Sequence, residues 1–365
     1  MDPDALRDEV EEWVRDGIIT DAQAEEILSR YETDEERRPR AVLVLSIVGS
    51  ALVFSGILLF LATNWQDLHR AARTLVLLAG PGLAFYGGLQ AYDHDVPRVG
   101  HALCILGALL VGPSLFLFDD LFSIGIAAEW LLLAWTAVAL PTGHGLKSRP
   151  GTGLGIALLA GVVVVVSEPA DPLPAVGLLG VAVFSLGRMR SGRVPWVYRM
   201  GGVVLSLGTL LVMTMLEGQF DFYQVGSIPV LVATSAGAVA GGWWLHQADE
   251  REAVEWSVIV LAALLLSTTV AVFAPETVPE LLAFGCLHVA ALAGLIATGY
   301  LGYRSRSRTL IDLVALGGLV QTLSFVEATV VSALSGSIAL VVAGLILLAA
   351  GVALERGRRT LLSRL

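Results

Sequence analysis

Few side chains in this 365-residue sequence could do chemistry away from its polar ends, and they are widely spaced. His288 lies within AFGCLHVAALAG and His101 within VGHALCILGA, each among apolar and small neighbours. A neutral imidazole in such a setting can bond across to another helix, or it can relay a proton or touch a substrate. The stretch TNWQDLHRAART (63–74) brings Asn64, Trp65, Arg70 and Arg73 together between two apolar runs. Two arginines beside an amide and an indole suit an anion or a carboxylate. They equally suit a plain structural end, with Asn64 capping carbonyls, Trp65 at an interface and the arginines reaching polar surroundings. Glu129 and Glu327 are the acids placed to answer Arg73. Asp312, beside RSRSR (304–308), is expected to find its cation in that run. The cysteines, Cys104 and Cys286, are 182 positions apart inside apolar runs and read as small buried hydrophobes. No HExxH, GxSxG or P-loop pattern occurs, and the glycine-rich GTGLG (151–155) opens an apolar run with no strand before it. We therefore expect no catalytic residues, no metal and no cofactor.

The elements that position these residues follow from composition. Of all residues, 55% are hydrophobic and 15% charged, against about 25% charged in a typical soluble domain. The apolar residues come in blocks long enough to cross a bilayer. Residues 41–62 carry no charge, and neither do residues 332–354. Twelve blocks are expected as helices: 41–62, 71–91, 99–118, 126–141, 151–167, 173–187, 197–216, 225–245, 254–273, 279–301, 309–329 and 332–354. The fourth and sixth are short for a straight span, so ten or eleven crossings is an open alternative. Pro81 and Pro113 fall inside the second and third blocks, where the missing N–H should kink the helix. The Gly237-x-x-x-Gly241 spacing predicts a close helix–helix approach.

Charge gives the expected orientation. Basic residues cluster in alternate loops and in both ends of the chain, which together hold 21 of the 23. The opposite loops (DDLFSIG, SEPADPLP, EGQFDFYQ, APETVPE) are acidic and lack cations. The bias of cytoplasmic loops toward Lys and Arg then places both termini in the cytoplasm of a cell membrane. Arg70 and Arg73 are the two exceptions. Nucleic-acid binding has no support, because the cations are dispersed over short loops.

Residues 1–40 hold 14 Asp and Glu against 6 Arg. Leu6, Val10, Trp13 and Val14 fall on one helical face, as do Ala24, Ile27, Leu28 and Tyr31 on a second. Gly17 separates them, and Thr20 to Gln23 has the form of a capping box. The domains are thus expected to be an acidic helical hairpin with linker (1–40), a membrane bundle (41–354) and a basic tail (355–365). The hairpin surface, residues 4–31, is the expected docking site for a cytoplasmic protein partner; the other expected partner is the lipid bilayer.

Three stretches carry a family resemblance: WVRDGIITDAQAEEIL (13–28), GILLFLATNW (56–65) and HRAAR (69–73). Over about residues 5–140 the chain resembles a prokaryotic family of predicted membrane proteins, a domain of unknown function numbered 2157. The resemblance implies a multi-pass membrane protein with a cytoplasmic hairpin. It implies that Asn64, Trp65 and Arg73 belong to a shared pattern, and it supplies no activity. The fold expected is an all-α polytopic bundle of about twelve helices behind a short soluble hairpin. Three functions stay open: a non-catalytic scaffold or sensor, a secondary transporter or channel for a small solute or ion, and, third, an enzyme on lipid-linked substrates.

Overall fold

The computed structural model describes residues 63–94, 96–168, 171–189, 193–215, 228–277, 279–331 and 337–363, and from the N-terminal part positions 10, 13–14, 18–20, 23–24, 52 and 59. Most of the first expected span, 41–62, and most of the expected hairpin lie outside the described residues. The chain divides into two compact units, Met1–Arg73 and Thr74–Leu365.

In the first unit, Val10 and Ala24 are buried with Trp13, Val14 and Ile19 against them. Thr20 N–H donates to Gln23 Oε1 at 2.9 Å while Gln23 N–H donates to Thr20 Oγ1 at 3.4 Å. That reciprocal pair is the capping box its spacing predicts.

The second unit is all helix among the described residues. In chain order it holds α1 (Arg70–Asp93, beginning in the first unit), α2 (Pro97–Phe122), α3 (Ala128–Gly145), α4 (Arg149–Ser167), α5 (Leu173–Arg188), α6 (Arg193–Met215), α7 (Ile228–Gln247), α8 (Arg251–Thr277), α9 (Glu280–Arg304), α10 (Arg308–Val326) and α11 (Ser337–Leu362), with a π-helical turn, Glu327–Val331, after α10. Each falls on one of the eleven expected blocks from 71–91 onward. Among the described residues, nine helices are long and apolar enough to cross a membrane. The protein is an all-α, multi-pass membrane helix bundle.

Local chemistry fixes the ends. Pro97 opens α2, where its missing N–H would have been unpaired anyway. Ser148 Oγ accepts the Gly151 N–H at 3.2 Å and caps α4. Asp171 Oδ1 accepts the Leu173 N–H at 2.8 Å ahead of α5. Several hydroxyls inside the helices are absorbed locally: those of Ser185, Ser257 and Thr298 donate to the carbonyls of Val181, Ala253 and Gly294, one turn back. These donors then need nothing from lipid, which offers no acceptor.

Packing is centred on α5, α6, α8 and α9. One apolar core joins Phe184 of α5, Leu207 of α6, Trp256 of α8 and Leu295 of α9. Half of the apolar window of α6 and of α9 is buried, against 6% for α11, which is peripheral. α5 crosses α6 at close range. A Cβ built on Gly202 would stand 2.5 Å from Gly180 O, and one on Gly180 2.7 Å from Gly202 O. Gly177 lies against Thr209, and Gly187 against Arg199, so the two helices run antiparallel. Gly237 and Gly241 face Ala182 and Ser185 of α5, the close approach their spacing predicts.

α1 runs through Pro81, and α2 through Pro113, as continuous helices. Near Pro113 the Ala108 carbonyl receives the Trp135 indole N–H of α3 at 2.7 Å, and Gly112 makes room for that ring. That bond ties α3 to α2 one turn before the proline.

Candidate functional site

The loop before α1 is built from its own polar atoms. Thr63 Oγ donates to the Leu59 carbonyl at 2.8 Å, and the Asn64 side-chain amide donates to Thr63 Oγ at 3.1 Å. The Asn64 carbonyl accepts the N–H groups of Asp67 and Leu68. His69 Nδ1 accepts the Ala71 N–H at 3.3 Å, so His69 caps α1 with its unprotonated nitrogen. Arg73 then turns back on the loop: its Nε donates to Leu68 O at 2.9 Å, one Nη donates to Gln66 O at 2.5 Å, and its guanidinium lies 5.8 Å from the Trp65 ring centre. Arg70 opens the helix. Asn64, Trp65 and Arg73 are therefore gathered by one tight loop. In the second unit, Glu129 occupies the first turn of α3 and Glu327 opens the π-helical turn. Neither forms an ion pair among the described residues of that unit.

His101 meets Tyr92 across the α1–α2 hairpin, its Nδ1 2.7 Å from the phenol oxygen, with the rings edge to face. That bond links two helix ends and needs no ligand.

His288 has a richer setting. Gln321 Nε2 of α10 donates to His288 Nδ1 of α9 at 2.5 Å, which places the imidazole proton of the neutral ring on Nε2. On the other side, Ser324 Oγ lies 3.0 Å from Thr214 O and 3.2 Å from Thr214 Oγ1, and Thr214 Oγ1 donates to Leu211 O at 2.8 Å. Thr214 has one hydroxyl proton, so the 2.8 Å bond takes it and the 3.5 Å approach to Gln321 Oε1 is the weaker contact. Thr214, His288, Gln321 and Ser324 are each 5% exposed or less. Phe284 and Phe325 flank the imidazole, with ring centres 4.3 and 5.4 Å away. His288 is the ninth residue of α9, roughly 12 Å from the start of that helix at 1.5 Å per residue. It sits about 6 Å short of the helix midpoint at Leu292. The cluster joins α6, α9 and α10 close to where α10 passes into the π-helical turn. Thr214 and Ser324 could not be singled out from sequence, because hydroxyls in apolar helices usually bond their own backbone.

The two rims of the second unit differ in charge. Asp119, Asp120, Glu129, Glu168, Asp171 and Glu327 lie at one set of helix ends. At the other, Arg188 pairs with Glu250, Arg304 Nε with Glu252 at 3.0 Å, and Arg358 Nε with Asp312 at 2.6 Å. Asp312 thus takes its cation from the end of α11 and not from the adjacent RSRSR run.

Asp171, outside the spans, is half-buried, and desolvation holds its carboxyl above the usual range despite the opposing Leu173 N–H bond. Folding then favours the protonated form, so stability falls as pH rises from the ordinary carboxylate value, near 3.9, through the higher folded value. Asp171→Asn keeps an oxygen acceptor and cannot ionise. It is expected to melt about 1–2 °C above wild type at pH 7 and level with it near pH 3.5, by thermal unfolding in detergent. A difference that does not change with pH would remove this reading.

The loop geometry at Asn64, Trp65 and Arg73 sits inside a segment with known relatives. Residues 11–152 match the family of predicted membrane proteins of unknown function, DUF2157. The match contains all three motif stretches and ends in the first turn of α4. The His288 cluster lies beyond it. No curated protein and no solved structure matches the chain.

Proposed function

We propose that this chain is a non-catalytic scaffold or sensor of the cell membrane, crossing it twelve times with both termini in the cytoplasm and docking a protein partner on its N-terminal helical pair. The observation that carries the reading is the burial of the His288 cluster. Thr214, His288, Gln321 and Ser324 are buried to within a few per cent, and the Gln321–His288 Nδ1 and Ser324–Thr214 bonds cross three helices, as structural polar contacts in membrane bundles do. A conduction path needs such groups to face water. The charge difference between the rims supports the orientation, and the buried Val10–Ala24 contact and the capping box support a helical pair. Photo-crosslinking from position 13 or 14 in cells is the test. A discrete adduct lost on deletion of residues 1–32, with membrane insertion unchanged, is the expected result; the same adducts from the truncated chain would sink it.

A transporter is the second reading, favoured by the π-helical turn at Glu327–Val331 beside the cluster, since such turns recur at functional sites. Purified protein in liposomes with an internal pH dye is expected to show no proton flux above empty liposomes. Flux that His288→Ala abolishes would replace the scaffold with a proton-coupled carrier.

A further inference from the structure

A cavity of about 290 Å³ lies where the ends of α5 and α9 meet the starts of α6 and α10. Its polar lining is Arg188, Arg199, Ser305, Arg306 and Ser307, over an apolar floor that includes Phe184. We propose that it is a binding site for a phosphate-bearing anion, either the headgroup of an acidic phospholipid or free phosphate.

Several observations converge on that chemistry. Three guanidinium groups line one small space, and the carboxylate beside them, Glu250, forms its ion pair with Arg188. Arg199 is held in place there by its Nε–H, which donates to Gly187 O at 2.8 Å. The Nε–H of Arg188 is buried and has no acceptor among the described residues, so a bound oxyanion would satisfy a donor the protein does not. Ser307 stands at the N-cap of α10, yet its hydroxyl caps nothing, and both it and Leu310 line the cavity. The first turn of this nineteen-residue helix therefore presents its positive end there. Finally, Arg306 holds φ at +50°, a conformation in which glycine is the usual residue at a helix end. The volume, at the small end of ligand pockets, admits a headgroup. Basic pockets between helix ends at a membrane face are suited to acidic headgroups. Trp196, also at the cavity, lies 5.2 Å from the Arg149 guanidinium, adding an aromatic group of the kind found at interfaces.

The test uses the full chain in phosphatidylcholine nanodiscs, with retained lipid counted by native mass spectrometry as phosphatidylglycerol is titrated in, and a parallel titration with inorganic phosphate. Saturable phosphatidylglycerol binding, weakened about tenfold by Arg199→Gln and by Arg306→Gly, is expected. Arg306→Gly relaxes the backbone, so its loss of binding cannot be blamed on misfolding; an unshifted or raised melting temperature confirms that. Equal saturation by inorganic phosphate, with the same sensitivity to both variants, assigns the site to free phosphate and upholds the chemistry. Retention of phosphatidylglycerol no better than of phosphatidylcholine together with no phosphate binding, or binding unchanged in both variants, overturns the proposal.

Discussion

Replacing Trp256 by alanine is expected to destabilise the protein by about 3–5 kcal/mol, the range for emptying a buried aromatic site. Trp256 is 1% exposed and lies in the main core between α5, α8 and α9. Its ring centre is 4.1 Å from that of Phe184, and its indole N–H donates to Thr298 Oγ1 at 2.9 Å. The Thr298 hydroxyl gives its own proton to Gly294 O, so it depends on the indole for a donor. Trp256→Phe separates the two contributions. It keeps most of the ring contact and loses the bond, and is expected to cost about 1 kcal/mol, as interhelical hydrogen bonds in bilayers do. Equilibrium unfolding in mixed micelles measures both. Equal losses for Ala and Phe would mean that the hydrogen bond, and not the packing, holds α8 to α9.

Gly202→Ala is the second large effect, and its sign is opposed by a change six residues along the same helix. The added methyl would meet Gly180 O at 2.5 Å and Phe184 N closer still, backbone atoms that no rotamer change can move. α5 and α6 must separate, at about 3 kcal/mol, the upper part of the range for overpacking. At Gly208 nothing lies within 4 Å of the same methyl. Gly208→Ala is expected to stabilise by about 0.5–1 kcal/mol, because alanine loses less backbone freedom in a helix. Thermal unfolding of the pair in one detergent decides the matter. A tolerated Gly202→Ala would show that the α5–α6 crossing can open without loss.

That lipid is the solvent of this protein is legible in its amino-acid sequence alone. Lipid supplies no hydrogen bonds, so each crossing must close its backbone bonds within itself, and an apolar run of sufficient length has one local solution, a helix. That is why eleven expected blocks are eleven helices, even the sixteen-residue α5, and why Thr20 and Gln23 meet as their spacing requires. Gly237 and Gly241 could also be read, because small residues one turn apart mark a close approach whatever the partner. The identity of partners could not be read. Arg73 bonds carbonyls of its own loop; Asp312 has three nearby arginines and takes Arg358 from the last helix. His288 finds Gln321 33 residues on, and only the crossing of α6 brings Thr214 beside Ser324 next to them. The basic cavity likewise collects Arg188, Arg199 and Arg306 from three separate helix ends. Hydrophobicity cannot choose among helices when the surrounding lipid is as apolar as they are. Fit between small-residue grooves and side-chain ridges makes that choice, and fit exists only in three dimensions.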